Sequence, residues 1–294
     1  MGFSSVVEIA ELWGVSERSV RNYCAQGRVP GAFLTGKTWN IPSDAAKPTR
    51  LNAKAPARNP LLLRLREEKD AKVKGGIYHK VQVELTYNSN HSEGSRLSLD
   101  QTRLIFETST VGFEGEPVRI DDIVEAQNHF RAIDYVIDKA ASPLSEGMVK
   151  ELHRILKTGS ADASKNWFAI GEYKQLPNEV GGKDTTPPER VGEDVKRLLE
   201  AYAPREAHSL EAIIDFHVRF ERIHPFQDGN GRVGRLVMFK ECLANGIVPF
   251  IITDEMKAYY YRGLSEWDTE RGYLVDTCLS AQDRFKTFLD YFRI

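Results

Sequence analysis

Apolar residues recur at helical spacing along most of the chain, and the breaks in that spacing mark out its elements. Ser5-Val6-Val7-Glu8 has the S-x-x-E form in which serine and glutamate satisfy each other's free backbone donors, so a helix is predicted from Ser5. Ile9, Ala10 and Trp13 form its apolar stripe, and Gly14 stops it. Ser16 is placed to cap a second helix running to about Gln26, with Val20 and Tyr23 inward and Gly27 at its end. Phe33-Leu34, Gly36-Lys37 and Trp39-Asn40-Ile41 read as strand, tight turn and strand. Two short helices joined through a glycine and followed by a hairpin have the layout of a winged helix-turn-helix.

Residues 43–60 change character, with Pro48, Pro56 and Pro60 among Ala, Asn and the basic Lys47, Arg50, Lys54 and Arg58. That is the composition of a linker. A charged helix, LLLRLREEKDAK, follows. The predicted division is a helix-turn-helix unit over 1–46, linker and charged helix over 47–75, and a helical domain over 76–294. Ile120–Lys139 carries Ile123, Phe130, Ile133, Val136 and Ile137 at helical spacing behind Asp121 as a cap. Ser142-Pro143 predicts a cap and first-turn proline for a helix over 144–156, and Thr186-Pro187-Pro188-Glu189 does the same for 191–202. Segments 209–223, 232–245 and 285–292 are helical by pattern. Residues 170–182 hold Gly171, Pro177, Gly181 and Gly182 and read as an exposed hairpin or loop. The expected class is mostly α: a helical core with a small β-hairpin, plus the N-terminal winged unit.

Composition narrows the partners more than the fold. The 294 residues are 41% hydrophobic and 28% charged, which excludes a disordered or fibrous chain. Forty basic against 42 acidic residues leave a net charge of −2, so binding to nucleic acid must rest on a local surface. Cys24, Cys242 and Cys278 are scattered, which is neither a disulfide framework nor a CxxC site and fits a reducing compartment. No apolar run approaches the ~18 residues of a membrane span. No basic stretch precedes an apolar one at the start of the chain. A cytoplasmic protein with no membrane partner is expected.

The chemistry concentrates in His224-Pro225-Phe226-Gln227-Asp228-Gly229-Asn230-Gly231-Arg232-Val233-Gly234-Arg235. Gly229-Asn230-Gly231 breaks a helix ending near Ile223, and a new one is predicted to start at Gly231 or Arg232. Free N–H groups at such a start make an anion cradle. Arg232 and Arg235 fall one turn apart on one face, where guanidinium forks hold phosphate oxygens. Asp228 supplies the hard oxygen that Mg²⁺ on a polyphosphate requires, and His224 is a base that titrates near neutrality. The set reads as a nucleotide-phosphate site with a base beside it.

The segment also matches the HPFx[D/E]GNGRxxR signature at every fixed position, and on it the chain resembles the Fic (Fido) family. The resemblance implies an all-α core and transfer of AMP from ATP to a Ser, Thr or Tyr hydroxyl of a protein. It implies His224 as general base and Asp228 as the Mg²⁺ ligand. Gly229, Asn230 and Gly231, with the following Arg232, Val233, Gly234 and Arg235, would hold the phosphates, Arg235 nearest the γ-phosphate. The complete GNGRxxR form favours AMP transfer over the phosphorylation carried out by the family's toxin kinases. Ser89-Asn90-His91-Ser92-Glu93-Gly94 fits the family's [S/T]-x-x-x-E-[G/N] inhibitory motif, on a helix predicted over Ile77–Ser92 and an inhibitory segment of about 77–94. Ser89, Glu93 and Gly94 are its fixed positions, and Ser95 stands where asparagine often follows. A Glu93 carboxylate on Arg235 would occupy the guanidinium that a γ-phosphate needs. Residues 172–183 resemble the family's flap, with Val180, Gly181, Gly182 and Lys183 over the nucleotide and a target strand docked by pairing. Tyr260 and Tyr261 resemble the tyrosines near the adenine, although Asp268 replaces an expected asparagine. Of the other histidines, His217 reads as core, and His129, His153 and His208 lack zinc-ligand spacing.

The first 46 residues resemble an excisionase- or MerR-like helix-turn-helix, which implies Arg18, Ser19, Arg21 and Asn22 on a recognition helix and Arg28 and Lys37 at phosphates. The leading expectation is a self-inhibited protein adenylyltransferase acting on a target protein or on itself, with ATP as substrate and Mg²⁺ as cofactor. DNA is a further partner and a homodimer is plausible from the resemblance. Two alternatives stay open: removal of AMP through Glu93, and a DNA-binding regulator with a nucleotide-sensing or self-modifying core.

Overall fold

The computed structural model describes residues 2–25, 29–36, 38–48, 59–112, 117–203 and 207–294, apart from the side chains of Arg18 and Asn22. The chain divides into two units, Met1–Ala55 and Pro56–Ile294. In the first, β1 (Phe3–Ser4), α1 (Val6–Trp13), α2 (Glu17–Ala25), β2 (Phe33–Thr35) and β3 (Thr38–Pro42) follow in order. Ser5 and Glu8 form the expected capping box, and Gly14 closes α1 in the left-handed conformation (φ 61°). The hairpin pairs Leu34 with Trp39, and β1 adds a third antiparallel strand by pairing Ser4 with Ile41. A two-residue strand has no periodicity to read, so its partner alone defines it. Ile9, Trp13, Val20, Cys24, Val29 and Ile41 make the core of this unit.

The second unit contains α3 (Pro60–Asp70), α4 (Ile77–Ser92), α5 (Leu99–Thr108), α6 (Ile120–Lys139), α7 (Glu146–Lys157), the hairpin β4 (Glu179–Val180) and β5 (Lys183–Asp184), α8 (Pro188–Tyr202), α9 (Leu210–Ile223), α10 (Asn230–Asn245), α11 (Lys257–Ser265) and α12 (Gly272–Phe292). Helix α10 is buried on every side from Asn230 to Leu243 and packs against α4, α6, α7 and α9. A helix surrounded in this way loses amphipathic periodicity, and its four buried charges, Arg232, Arg235, Lys240 and Glu241, must each find a partner.

Tertiary contacts move several predicted boundaries. The charged helix belongs with the helical domain predicted to begin at residue 76: Leu61, Leu62 and Leu65 of α3 enter the main core, and Asn59 caps the helix while donating to the Leu243 carbonyl. Helix α7 begins behind Ser145 rather than Ser142, whose carbonyl accepts from the buried Lys240 ammonium at 2.6 Å. Asp121 does not cap α6; its carboxylate accepts from the Ala161 N–H. Thr186 caps nothing and instead donates to Asp194, while Pro188 opens α8. Helix α10 starts at Asn230, one residue before the predicted start, and α12 begins well before residue 285. Among the described residues, no helix is long and apolar enough to cross a membrane.

Candidate functional site

His224 terminates α9 in the left-handed conformation (φ 50°), at the start of the loop before α10. Its Nδ1 lies 3.3 Å from the Glu221 carbonyl. A carbonyl only accepts, so Nδ1 carries the proton and Nε2 keeps its lone pair. Burial, reinforced by the Lys174 ammonium and partly offset by the Glu221 carbonyl, pulls the imidazole down to about 4. The ring is therefore neutral near pH 7.

The loop is held by its own side chains. Phe226 is fully buried and stacks on His153 with ring centroids 4.0 Å apart. The Asn230 side chain accepts from the Phe226 N–H and donates to the Phe226 carbonyl, both at 2.8 Å. Asn230 thus acts as a loop clasp through its amide, and only its backbone remains for an anion. Gly229 opens α10 at φ 80°, with no side-chain cap on the first turn.

Glu93 lies over that first turn. A Cβ on Gly231 would fall 2.3 Å from Glu93 Oε1, so glycine is what lets the carboxylate approach. The same oxygen accepts from Arg235 Nη2 at 2.6 Å, and the Ser89 hydroxyl and carbonyl take further Arg235 donors at 3.0 and 2.9 Å. Burial pushes the Glu93 carboxyl up, but the Arg235 guanidinium outweighs it and keeps the group below the ordinary range. Gly94 follows in a left-handed turn (φ 92°). Arg232 is engaged too, by Glu125 at 2.5 Å and Asp228 at 3.1 Å. Neither arginine fork is free: Glu93 holds Arg235, and Glu125 and Asp228 hold Arg232, the latter a pairing that sequence reading did not give.

Gly234 has a different use. A Cβ there would meet the His217 ring at 2.7 Å and Glu221 Oε1 at 2.8 Å. His217 is buried as expected and pairs with the Tyr260 hydroxyl, 2.5 Å away. Tyr260 is only 2% exposed, so its ring is a core group and not an open adenine shelf. Tyr261, packed edge-on against it, is exposed. Asp268 pairs with Arg222 at the surface.

The hairpin β4–β5 turns through Gly181 and Gly182, both at positive φ as a two-residue turn requires. Val180, Gly181, Gly182 and Lys183 are exposed. The hairpin's base is bonded to the His224 loop: Asn178 donates to the Phe226 carbonyl, and Leu176 N–H to Gln227. Lys174 is buried and binds Asn178, Thr185 and the Ile223 carbonyl. Burial without an anionic partner lowers its ammonium to about 8. Lys174, Glu125 and Lys157 were not singled out in the sequence, because they lie on separate elements with no motif spacing between them.

Asp228 is half-exposed and accepts from Lys157 and Arg232 through one oxygen. Burial acts against its charge, but these two cations hold its carboxyl far below the usual carboxylate range. An ionised, solvent-facing carboxylate beside an anion cradle suits a nucleotide-borne Mg²⁺. In the N-terminal unit, Arg21 pairs with Glu17 on the exposed face of α2, and Ser19 bonds Ser16. Arg28 and Lys37, and the side chains of Arg18 and Asn22, lie outside the described residues.

The buried helix, its preceding loop, the opposed carboxylate and the tethered hairpin lie in a region with known relatives. Residues 143–242 match the model of the Fic/DOC family. It is 28% identical over 193 residues to the protein adenylyltransferase fic-1 of Caenorhabditis elegans, covering 64% of this chain and 35% of the relative. It is 26% identical to the protein adenylyltransferase Fic of Nematostella vectensis over 61% of this chain and 42% of that one. The chain thus spans less than half the length of these curated relatives. Among solved structures, a Fic domain containing signaling protein from Bacteroides thetaiotaomicron matches with a TM-score of 0.58 and 27% identity, over 78% of this chain and 90% of that one. The Fic-1 structure from C. elegans matches with a TM-score of 0.62 over 80% and 72%, at 22% identity, and shares the fold.

Proposed function

We propose that the chain transfers AMP from ATP to a protein hydroxyl and that Glu93 holds this activity in check. One observation carries the reading: Glu93 is bonded to Arg235 at 2.6 Å, over the same helix start that Gly231 leaves open for an anion. His224 Nε2 takes the proton of the target hydroxyl. The oxygen bonds to the α-phosphorus, and the bond to pyrophosphate breaks. The N–H groups of the α10 first turn hold phosphate oxygens, and Arg235 takes up the γ-phosphate once Glu93 withdraws. Asp228 would hold Mg²⁺, which neutralises phosphate charge. The β4–β5 hairpin offers its edge to an extended target segment.

Removal of AMP is a second reading, favoured by the ionised and partly exposed Glu93 carboxylate, which can orient a water. The N-terminal unit is proposed to bind DNA through α2, from its two helices and three-stranded wing; loss of salt-sensitive binding in Arg21→Ala tests it. The reaction is tested with α-labelled ATP and Mg²⁺ on wild type, Glu93→Gly and Glu93→Gly/His224→Ala. Label that appears in the first variant and vanishes in the second is expected. Absence of label from every folded, ATP-binding form, with a lysate present, would refute AMP transfer.

A further inference from the structure

Lys157 ends α7 with its side chain only 1% exposed. Its ammonium lies 2.5 Å from Glu125 Oε1, 2.7 Å from Asp162 Oδ2 and 2.7 Å from Asp228 Oδ2. These carboxylates come from α6, from the short turn of helix after α7, and from the loop before α10. An ammonium has three N–H groups and no acceptor, so three oxygens satisfy it completely. The carboxylates also offer oxygens within 4.8 Å of one another, the kind of gathering that closes on a divalent ion. Arg232 supplies a second cation to Glu125 and Asp228. The Phe168 ring covers the ammonium, with its centroid 5.4 Å away, and the Lys157 stem passes beneath Gly229.

We propose that the Lys157 ammonium is a resident cation, filling this three-carboxylate cage in place of a divalent metal. It thereby positions Asp228 so that only the solvent-facing edge of that carboxylate is left for Mg²⁺ arriving with nucleotide. This deepens the AMP-transfer reading and rests on it for the role of Asp228. Lys157 is a positioning residue: it reaches no substrate atom and acts through Asp228. The alternative assignment, a second metal in the cage, requires the ammonium to leave a site where every one of its donors is matched.

The test is a nucleotide-free Mn²⁺ titration of the full chain, read by the electron paramagnetic resonance of free Mn²⁺. Wild type and Lys157→Arg should bind no Mn²⁺ in the cage. Lys157→Met should gain one Mn²⁺ per chain, at an affinity at least about tenfold tighter than the residual surface binding of wild type, since an unbalanced carboxylate cluster then faces the ion. Adding Asp162→Asn to Lys157→Met should abolish the gain. Equal Mn²⁺ affinity for wild type and Lys157→Met would overturn the proposal. Should Lys157→Met fail to fold, acetylation of native wild type decides. With exposed Lys196 as the internal reference, Lys157 should stay unlabelled with and without Mn²⁺, and a rise with Mn²⁺ would overturn it. Neither measurement contains nucleotide, so failure of AMP transfer leaves both outcomes readable.

Discussion

Replacing Glu93 with glutamine tests the brake at one atom pair. Glu93→Gln keeps the side-chain shape and an acceptor near Arg235 Nη2 but removes the charge. The bond is short, at 2.6 Å, and its guanidinium is almost fully buried, whereas the carboxylate is 26% exposed. Hydrogen bonds to charged groups contribute about 1.5–3 kcal/mol, and exposed ion pairs about 0.2–1. The partial exposure places this bond near 1.5–2 kcal/mol. Two effects of opposite sign follow. Without nucleotide, the variant leaves Arg235 poorly neutralised, and its melting temperature should fall by about 3–6 °C. With ATP present, a carboxylate no longer competes for Arg235, so affinity should rise by about 10–30-fold. Calorimetric titration with a non-hydrolysable ATP analogue and thermal melts with and without it read both. The expected signature is a lower melt alone and a larger rise on adding the analogue. An unchanged affinity, or an affinity that falls with the melt, would refute the competition argument.

Further expectations follow from the same geometry. In a Glu93→Gly background, His224→Ala should cut the transfer rate by about 10²–10⁴-fold while leaving ATP affinity in place. With the His224 pKa lowered to about 4, kcat/KM in that background should stay flat as pH falls from 7 to 5.5, where an ordinary histidine would already protonate. His153 and His217 are lowered to about 3 by burial, so at pH 5 only the unfolded chain takes up their protons. Stability should fall as pH drops below 6.5, by about 2 kcal/mol per histidine at pH 5, measured by urea unfolding. Gly234→Ala drives a Cβ to within 2.7 Å of the His217 ring; overpacking of about 1–3 kcal/mol exceeds the roughly 1 kcal/mol of helix propensity gained. Gly147→Ala, with nothing within 4 Å of its Cβ, should stabilise α7 instead. Equal melts for these two variants would contradict the packing argument.

Much of the fold was legible because its signals are local. The Ser5–Glu8 box and the Gly14 stop are caps written in adjacent residues, and the extent of α6 follows from apolar residues at a 3.6-residue period. The His224 to Arg235 loop was legible for a similar reason: base, carboxylate, glycines and arginines lie within twelve consecutive residues. Boundaries failed where a distant group claimed the predicted cap, as Lys240 claims the Ser142 carbonyl and Asp194 the Thr186 hydroxyl. The α3 helix is legible in the sequence but its place in the core is not, because its leucines precede a charged run and only their packing partners make them core.

The sequence by itself thus determined which reactive groups the chain carries and roughly where helices begin and end. Tertiary structure decided which of those groups are free. It set Glu125 on Arg232, Lys157 on Asp228 and Tyr260 on His217. These three pairs join separate elements, at separations from 43 to 107 positions along the chain. No periodicity links residues so far apart. Desolvation does: a charge carried into the core on a wholly buried helix is tolerated only where another element brings its counter-charge.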